Sequence, residues 1–135
     1  MNSLVPWIWA AGGAHLLIAA ANLALPRQLQ YRANLALVSP IVRQIFNVHS
    51  AYIVMTLIAF SGLCFFFAPD LAGGSLLGTS LSWYMAVFWL SRLFIQVFYY
   101  DPELKRQHPV ANLAFTLAVA YLGGVSALAA LGVAK

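Results

Sequence analysis

Charge is what this sequence has least of. Of its 135 residues only 7% are Asp, Glu, Lys or Arg, and the acidic share is three residues. An average soluble domain is about 25% charged and about 45–50% apolar. Here 63% of the residues are hydrophobic and the mean hydropathy is +0.85. Seven basic and three acidic side chains cannot coat a water-soluble surface. The composition therefore excludes an ordinary cytosolic domain, a disordered tail and a collagen-like fibre, and it points to lipid as the solvent.

Other scarcities narrow the chemistry. The one cysteine, Cys64, lies in the apolar run Phe60–Phe67 and has no intrachain disulfide partner. The three histidines, His15, His49 and His108, are scattered and show no zinc-site spacing. The sequence contains no Walker-type phosphate loop, no G-x-S-x-G and no H-E-x-x-H. A sequence pI of about 9.6 would suit a nucleic-acid binder, but its basic residues form no stripe with interleaved aromatics. Nucleic acid is not an expected partner.

Long apolar runs are what the sequence does have. A membrane helix needs roughly 20 mostly apolar residues, and four such stretches are legible, at about 5–25, 42–68, 78–100 and 109–133. Pro26-Arg27, Pro69-Asp70 and Asp101-Pro102 close the first three. Ser39 reads as an N-cap with Pro40 in the first helical position, and Pro109 opens the fourth span in the same way. Residues 1–14 hold no Lys or Arg, so the first span reads as a retained helix and not a signal peptide. These features predict a single all-α domain over 1–135, an integral membrane bundle of four antiparallel transmembrane helices.

Basic residues give the orientation. The first connection carries Arg27, Arg32 and Arg43, and the third carries Lys105 and Arg106. The second has Asp70 and no basic residue. The positive-inside bias then puts connections one and three in the cytoplasm and both termini outside, in a cytoplasmic-type membrane. The first connection also holds Leu29, Tyr31, Leu35, Leu37 and Val38. It reads either as a short amphipathic helix in the headgroup region, with Arg27 and Arg32 toward lipid phosphates, or as a plain loop. Small residues four apart, such as Ala120 and Gly124 or Gly123 and Ala127, together with the Gly12-Gly13 pair, suit close helix packing in lipid.

Polar residues inside spans are costly, so each is a candidate for function. His15 and Asn22 share one face of the first helix, and His49, Tyr52 and Thr56 share a face of the second. Trp89, Arg92, Gln96 and Tyr99 form a stripe on the third, and Asn112 and Thr116 lie four apart on the fourth. With the orientation above, all fall in the cytoplasmic half. The expected site is a polar pocket of His15, Asn22, His49, Tyr52, Arg92 and Gln96. Arg92 is its sharpest member, because every acid lies outside the spans. Its guanidinium either snorkels to the interface or meets an anion from elsewhere, such as a lipid phosphate, a haem propionate, a ligand carboxylate or an acidic residue of another subunit.

Two function classes follow. In the first, a small ligand-binding or accessory subunit holds a lipid-like, quinone-type or other anionic ligand in that pocket, or presents Arg92 to a partner subunit or a second copy. In the second, a membrane redox or lipid-modifying enzyme uses His15 and His49, with or without a b-type haem. An axial offset of up to about 8 Å between the two histidines weighs against coaxial ligation. The lack of any carboxylate in the spans weighs against acid–base catalysis and proton relay. The first class is the expectation.

Overall fold

The computed structural model describes residues 3–28, 31–99 and 106–132. Along them run α1 (Val5–Gln28), α2 (Tyr31–Leu35), α3 (Pro40–Phe66), α4 (Ala68–Ala72), α5 (Leu76–Phe98) and α6 (Pro109–Leu131). The segments Val5–Ala24, Pro40–Phe66, Leu76–Phe98 and Pro109–Leu131 are long and apolar enough to cross a membrane. The chain is an all-α bundle of four such helices, the fold its composition called for. The expected headgroup contacts of Arg27 and Arg32, and the expected helix stop at Asp101-Pro102 and the basic Lys105 of the third connection, lie outside the described side chains.

Helix ends depart from the sequence reading in instructive ways. α1 does not stop at Pro26-Arg27 but runs on to Gln28, because a proline in the last turn costs the helix only the hydrogen bond to one carbonyl. Ser39 does occupy the N-cap of α3, with extended backbone, yet its side chain makes no capping hydrogen bond. Pro40 in the first turn lowers that need, since it has no N–H to satisfy. The side-chain cap appears instead at α5, where Ser75 accepts from the Gly78 N–H at 3.0 Å. The second span breaks at Phe67, and Ala68–Ala72 form the separate short helix α4. The first connection does contain a helix, the five residues of α2.

α1 lies along α3 and α5 lies along α6, the pairs meet through α1 against α6, and α4 touches all four long helices at one end. The glycine pairs split their duties. A Cβ on Gly12 would stand 3.0 Å from the Phe65 ring of α3, and one on Gly123 would stand 2.8 Å from Leu90 of α5, whereas Gly13 and Gly124 face open space. Gly78 is tighter still, since a Cβ there would collide with the Asp70 carbonyl of α4.

Burial is concentrated toward the α4 end. Val5, Ile8, Leu57, Cys64, Met85, Trp89, Leu122 and Val125 belong to one cluster there. Toward the α2 end the described helices are less buried. Every described residue from Pro40 to Thr56 is exposed or half-buried, as is every one from Pro109 to Ala118. Of the described residues of α5 beyond Trp89, Gln96 alone is buried.

Candidate functional site

Two polar groupings emerge, at different depths. The deeper one centres on His15, whose side chain is completely buried. Its Nδ1–H donates to the Ala11 carbonyl of its own helix at 2.7 Å, and its Nε2 accepts from the Trp89 indole N–H at 2.9 Å. An accepting Nε2 and a donating Nδ1 define the neutral Nδ1–H tautomer. Phe60 meets the imidazole edge-on with ring centroids 5.7 Å apart, and Cys64 Sγ lies 4.0 Å from Nδ1. One turn away, Ser61 Oγ donates to the Gly12 carbonyl at 3.0 Å, tying α3 to α1.

The second grouping sits near the α2 end, on the seam of α5 and α6. Arg92 Nη1 donates to Gln96 Oε1 at 3.2 Å, and Gln96 Nε2 donates to Asn112 Oδ1 at 2.7 Å. The guanidinium carbon lies 4.9 Å above the centre of the Phe115 ring, a cation–π contact from α6. Helical geometry explains the relay. Arg92 and Gln96 are four apart and so share a face of α5, and Asn112 enters one turn after Pro109 begins α6. Arg92 lies six residues from the end of α5, about 9 Å along the axis, and its bond to Gln96 directs its charged head toward that end. Among the described residues every buried side-chain nitrogen and oxygen has a hydrogen-bond partner.

The six residues expected to form one pocket are thus distributed. Arg92 and Gln96 are brought together and joined by Asn112. His15 is engaged separately, with Trp89. Asn22 turns back on its own helix, its Nδ2 donating to the Ile18 carbonyl at 2.9 Å. His49 and Tyr52 lie on the exposed surface of α3, Tyr52 at 60% exposure. Thr56 Oγ1 donates to the Tyr52 carbonyl. Sequence reasoning placed Trp89 on the right stripe of α5 but did not pair it with His15. The signal was available. An indole N–H in mid-span, away from the interfacial belts that tryptophan favours, needs an acceptor at its own depth.

The donor set does not fit a bis-histidine haem. Both ring nitrogens of His15 are committed, and His49 lies eleven residues along α3 from the Phe60 that touches the His15 ring, about 16 Å toward the α2 end. Among the described residues no three His, Cys, Asp or Glu side chains gather closely enough to hold a metal ion. Compared with protein-family models, curated proteins and solved structures, the chain matches none of them.

Proposed function

We propose that this multi-pass membrane protein is a small ligand-binding or accessory subunit, and that Arg92, Gln96 and Asn112 hold the polar head of an anionic, lipid-like ligand. The observation that carries this reading is the Arg92–Gln96–Asn112 relay. It fixes a permanently charged guanidinium beside two amides on one helix seam, near one end of the spans. In the relay Gln96 and Asn112 turn acceptor oxygens inward, so the amide group of Asn112 offers N–H donors in the company of a cation. Such a set is chemically matched to phosphate or carboxylate oxygens. The positive-inside bias of Arg43 and Arg106 supports assigning this end to the cytoplasm.

The test is mass spectrometry of molecules extracted from the detergent-purified protein. The wild type is expected to carry a stoichiometric anionic amphiphile. Arg92→Gln is expected to lower its retention about tenfold or more, the effect of losing a charge-assisted hydrogen bond. Arg92→Lys keeps part of it, because lysine retains the charge without the planar fork. Equal retention in Arg92→Gln overturns the reading. Labelling of cysteines placed at Ser75 and Gln107 tests the orientation: Ser75 reacts from outside and Gln107 only after the inner face is opened.

A further inference from the structure

α3 is longer than the bundle it belongs to. Its 27 residues, Pro40–Phe66, measure about 40 Å, against about 30 Å for a hydrocarbon core. Two contacts show where the excess lies. Phe60 of α3 meets Phe88 of α5 edge-on with ring centroids 5.1 Å apart. The two helices run in opposite directions, so the end of α5 at Phe98, ten residues past Phe88, stands level with Ser50. On the other flank Ser61 bonds the Gly12 carbonyl of α1. Ala24, where the apolar stretch of α1 ends, is twelve residues past Gly12 and stands level with His49. Both neighbours give the same level. The first turns of α3, from Pro40 to about His49, therefore continue about 15 Å past it. This projection is not polar all round: Ile41, Ile45 and Val48 share one side of it and are 61%, 47% and 52% exposed.

Those three residues begin a longer seam. Tyr52, Met55, Ala59, Gly62 and Phe66 follow them, so that the steps from Ile41 onward alternate between four and three. Such a heptad spacing keeps one side of a helix against a partner helix along its whole length. The seam lies on the far side of α3 from its buried residues Leu57, Phe60, Ser61 and Cys64. Tyr52, Met55 and Phe66 are at least 60% exposed, and a Cβ on Gly62 would meet nothing within 4 Å.

We infer that this seam is the contact of a parallel homodimer, in which a second copy of the chain lays its own α3 along it. Depth argues for protein over lipid. Ile41 and Ile45 stand past the level where the neighbouring spans end, and there acyl chains do not replace water over an apolar surface. Register argues for a second copy. Two copies inserted the same way present α3 in one direction and at one depth, so each seam position meets its own counterpart across a two-fold axis. Area is sufficient: at about 200 Å² for a large side chain, the six large residues of the seam expose about 700 Å² per copy, near the ~800 Å² per partner of a standard interface. Charge does not oppose it. Arg43, the one charged residue of α3, is two residues from both Ile41 and Ile45 and so points away from the seam. Within the membrane, Ala59 and Gly62 let the two backbones approach closely. The dimer is independent of the Arg92 site.

The test is disulfide scanning of the full-length chain, purified and reconstituted in phosphatidylcholine vesicles at a low protein-to-lipid ratio. Ile45→Cys, Val48→Cys and Tyr52→Cys, on the seam, should give covalent dimers on mild oxidation. Phe46→Cys and Asn47→Cys, exposed on the same turns but off the seam, should give few or none. Cys64 is buried and stays out of the reaction. Equal yields at all five positions, or no dimer at the seam positions, overturn the inference. Seam cross-links that form in native membranes but vanish in the vesicles also overturn it, because the partner is then another membrane helix and not a second copy. Ile45→Glu should raise the dissociation constant, read from energy transfer between labelled copies on lipid dilution, about tenfold or more, because it sets two like charges face to face. Phe46→Glu should change it little. None of the seam side chains packs in the bundle core, so the unfolding curve of the dilute chain in detergent is unchanged. An unaltered dissociation constant in Ile45→Glu sinks the seam.

Discussion

The two ends of this bundle use polar side chains in opposite ways. Toward α4, four polar groups tie one helix to another. Ser61 bonds α3 to α1, Trp89 bonds α5 to His15 of α1, Ser82 bonds α5 to the Leu71 carbonyl of α4 at 3.0 Å, and Tyr121 bonds α6 to the Trp7 carbonyl of α1 at 2.7 Å. Toward α2, among the described residues, the Gln96–Asn112 bond joins α5 to α6, and α3 is exposed or half-buried from Pro40 to Thr56. In lipid, apolar burial does not drive helices together, since acyl chains are as apolar as leucine; packing and hydrogen bonds must do it. The end rich in both is the scaffold. At the other end the described helices are less buried, and that contrast is what experiments can break.

The largest effect is expected at the scaffold's centre. Trp89→Ala removes a fully packed indole and leaves His15 Nε2 without its donor. Large-to-small changes of this kind cost about 3–5 kcal/mol, measurable as a loss of thermal or denaturant stability in detergent. Trp89→Phe keeps much of the packing and isolates the orphaned nitrogen, at about 1–3 kcal/mol. Tyr52→Ala, at the bare end, should leave stability unchanged. A comparable loss in Tyr52→Ala would show that the α2 end carries load and that the contrast is wrong.

The glycines sharpen the same comparison at lower energy. Gly78→Ala drives a methyl group into the Asp70 carbonyl, a backbone atom that moves only if α4 moves. Overpacking of this type costs about 1–3 kcal/mol. Gly124→Ala meets no atom within 4 Å and should be neutral or mildly stabilising. Gly12→Ala falls between, because the Phe65 ring at 3.0 Å can give a little. Unfolding curves of the three variants should rank in that order. Equal effects at Gly78 and Gly124 would mean that α4 does not clamp α5.

How much of this was legible follows from what sequence signals encode. Helix number, length and approximate ends were readable because lipid demands long apolar runs and proline marks where they stop. The end of α3 at Phe67 was not, since the apolar run passes through the break and α4 is itself apolar. The stripe carrying Arg92 and Gln96 was readable from four-residue spacing, and Asn112 from its place at the start of α6. What periodicity cannot supply is the rotation of one helix against another. It gave His49 and Tyr52 a polar stripe but not its direction, and the structure turns that stripe outward. The same limit hid the His15–Trp89 pair, whose partners are 74 residues apart.

The smallest expected effect bears on the α2 end itself. If Gln96 and Asn112 served as glue, a double-mutant cycle with Gln96→Leu and Asn112→Leu would return a coupling energy near the upper range for membrane hydrogen bonds, about 1.7 kcal/mol. A pair kept for binding should instead couple at about the membrane average of 0.6 kcal/mol or less, since the seam there is half-open and the freed amides find other donors and acceptors. The two roles also separate by readout. Each single variant should lower retention of the anionic amphiphile, because each breaks the relay that orients Arg92, while stability barely moves. Arg92 keeps its charge in both variants, so a drop in retention would report positioning and not electrostatics. A strong coupling in stability with unchanged retention would make Gln96–Asn112 a fifth interhelical tie, and the two ends of the bundle would then differ in degree but not in kind.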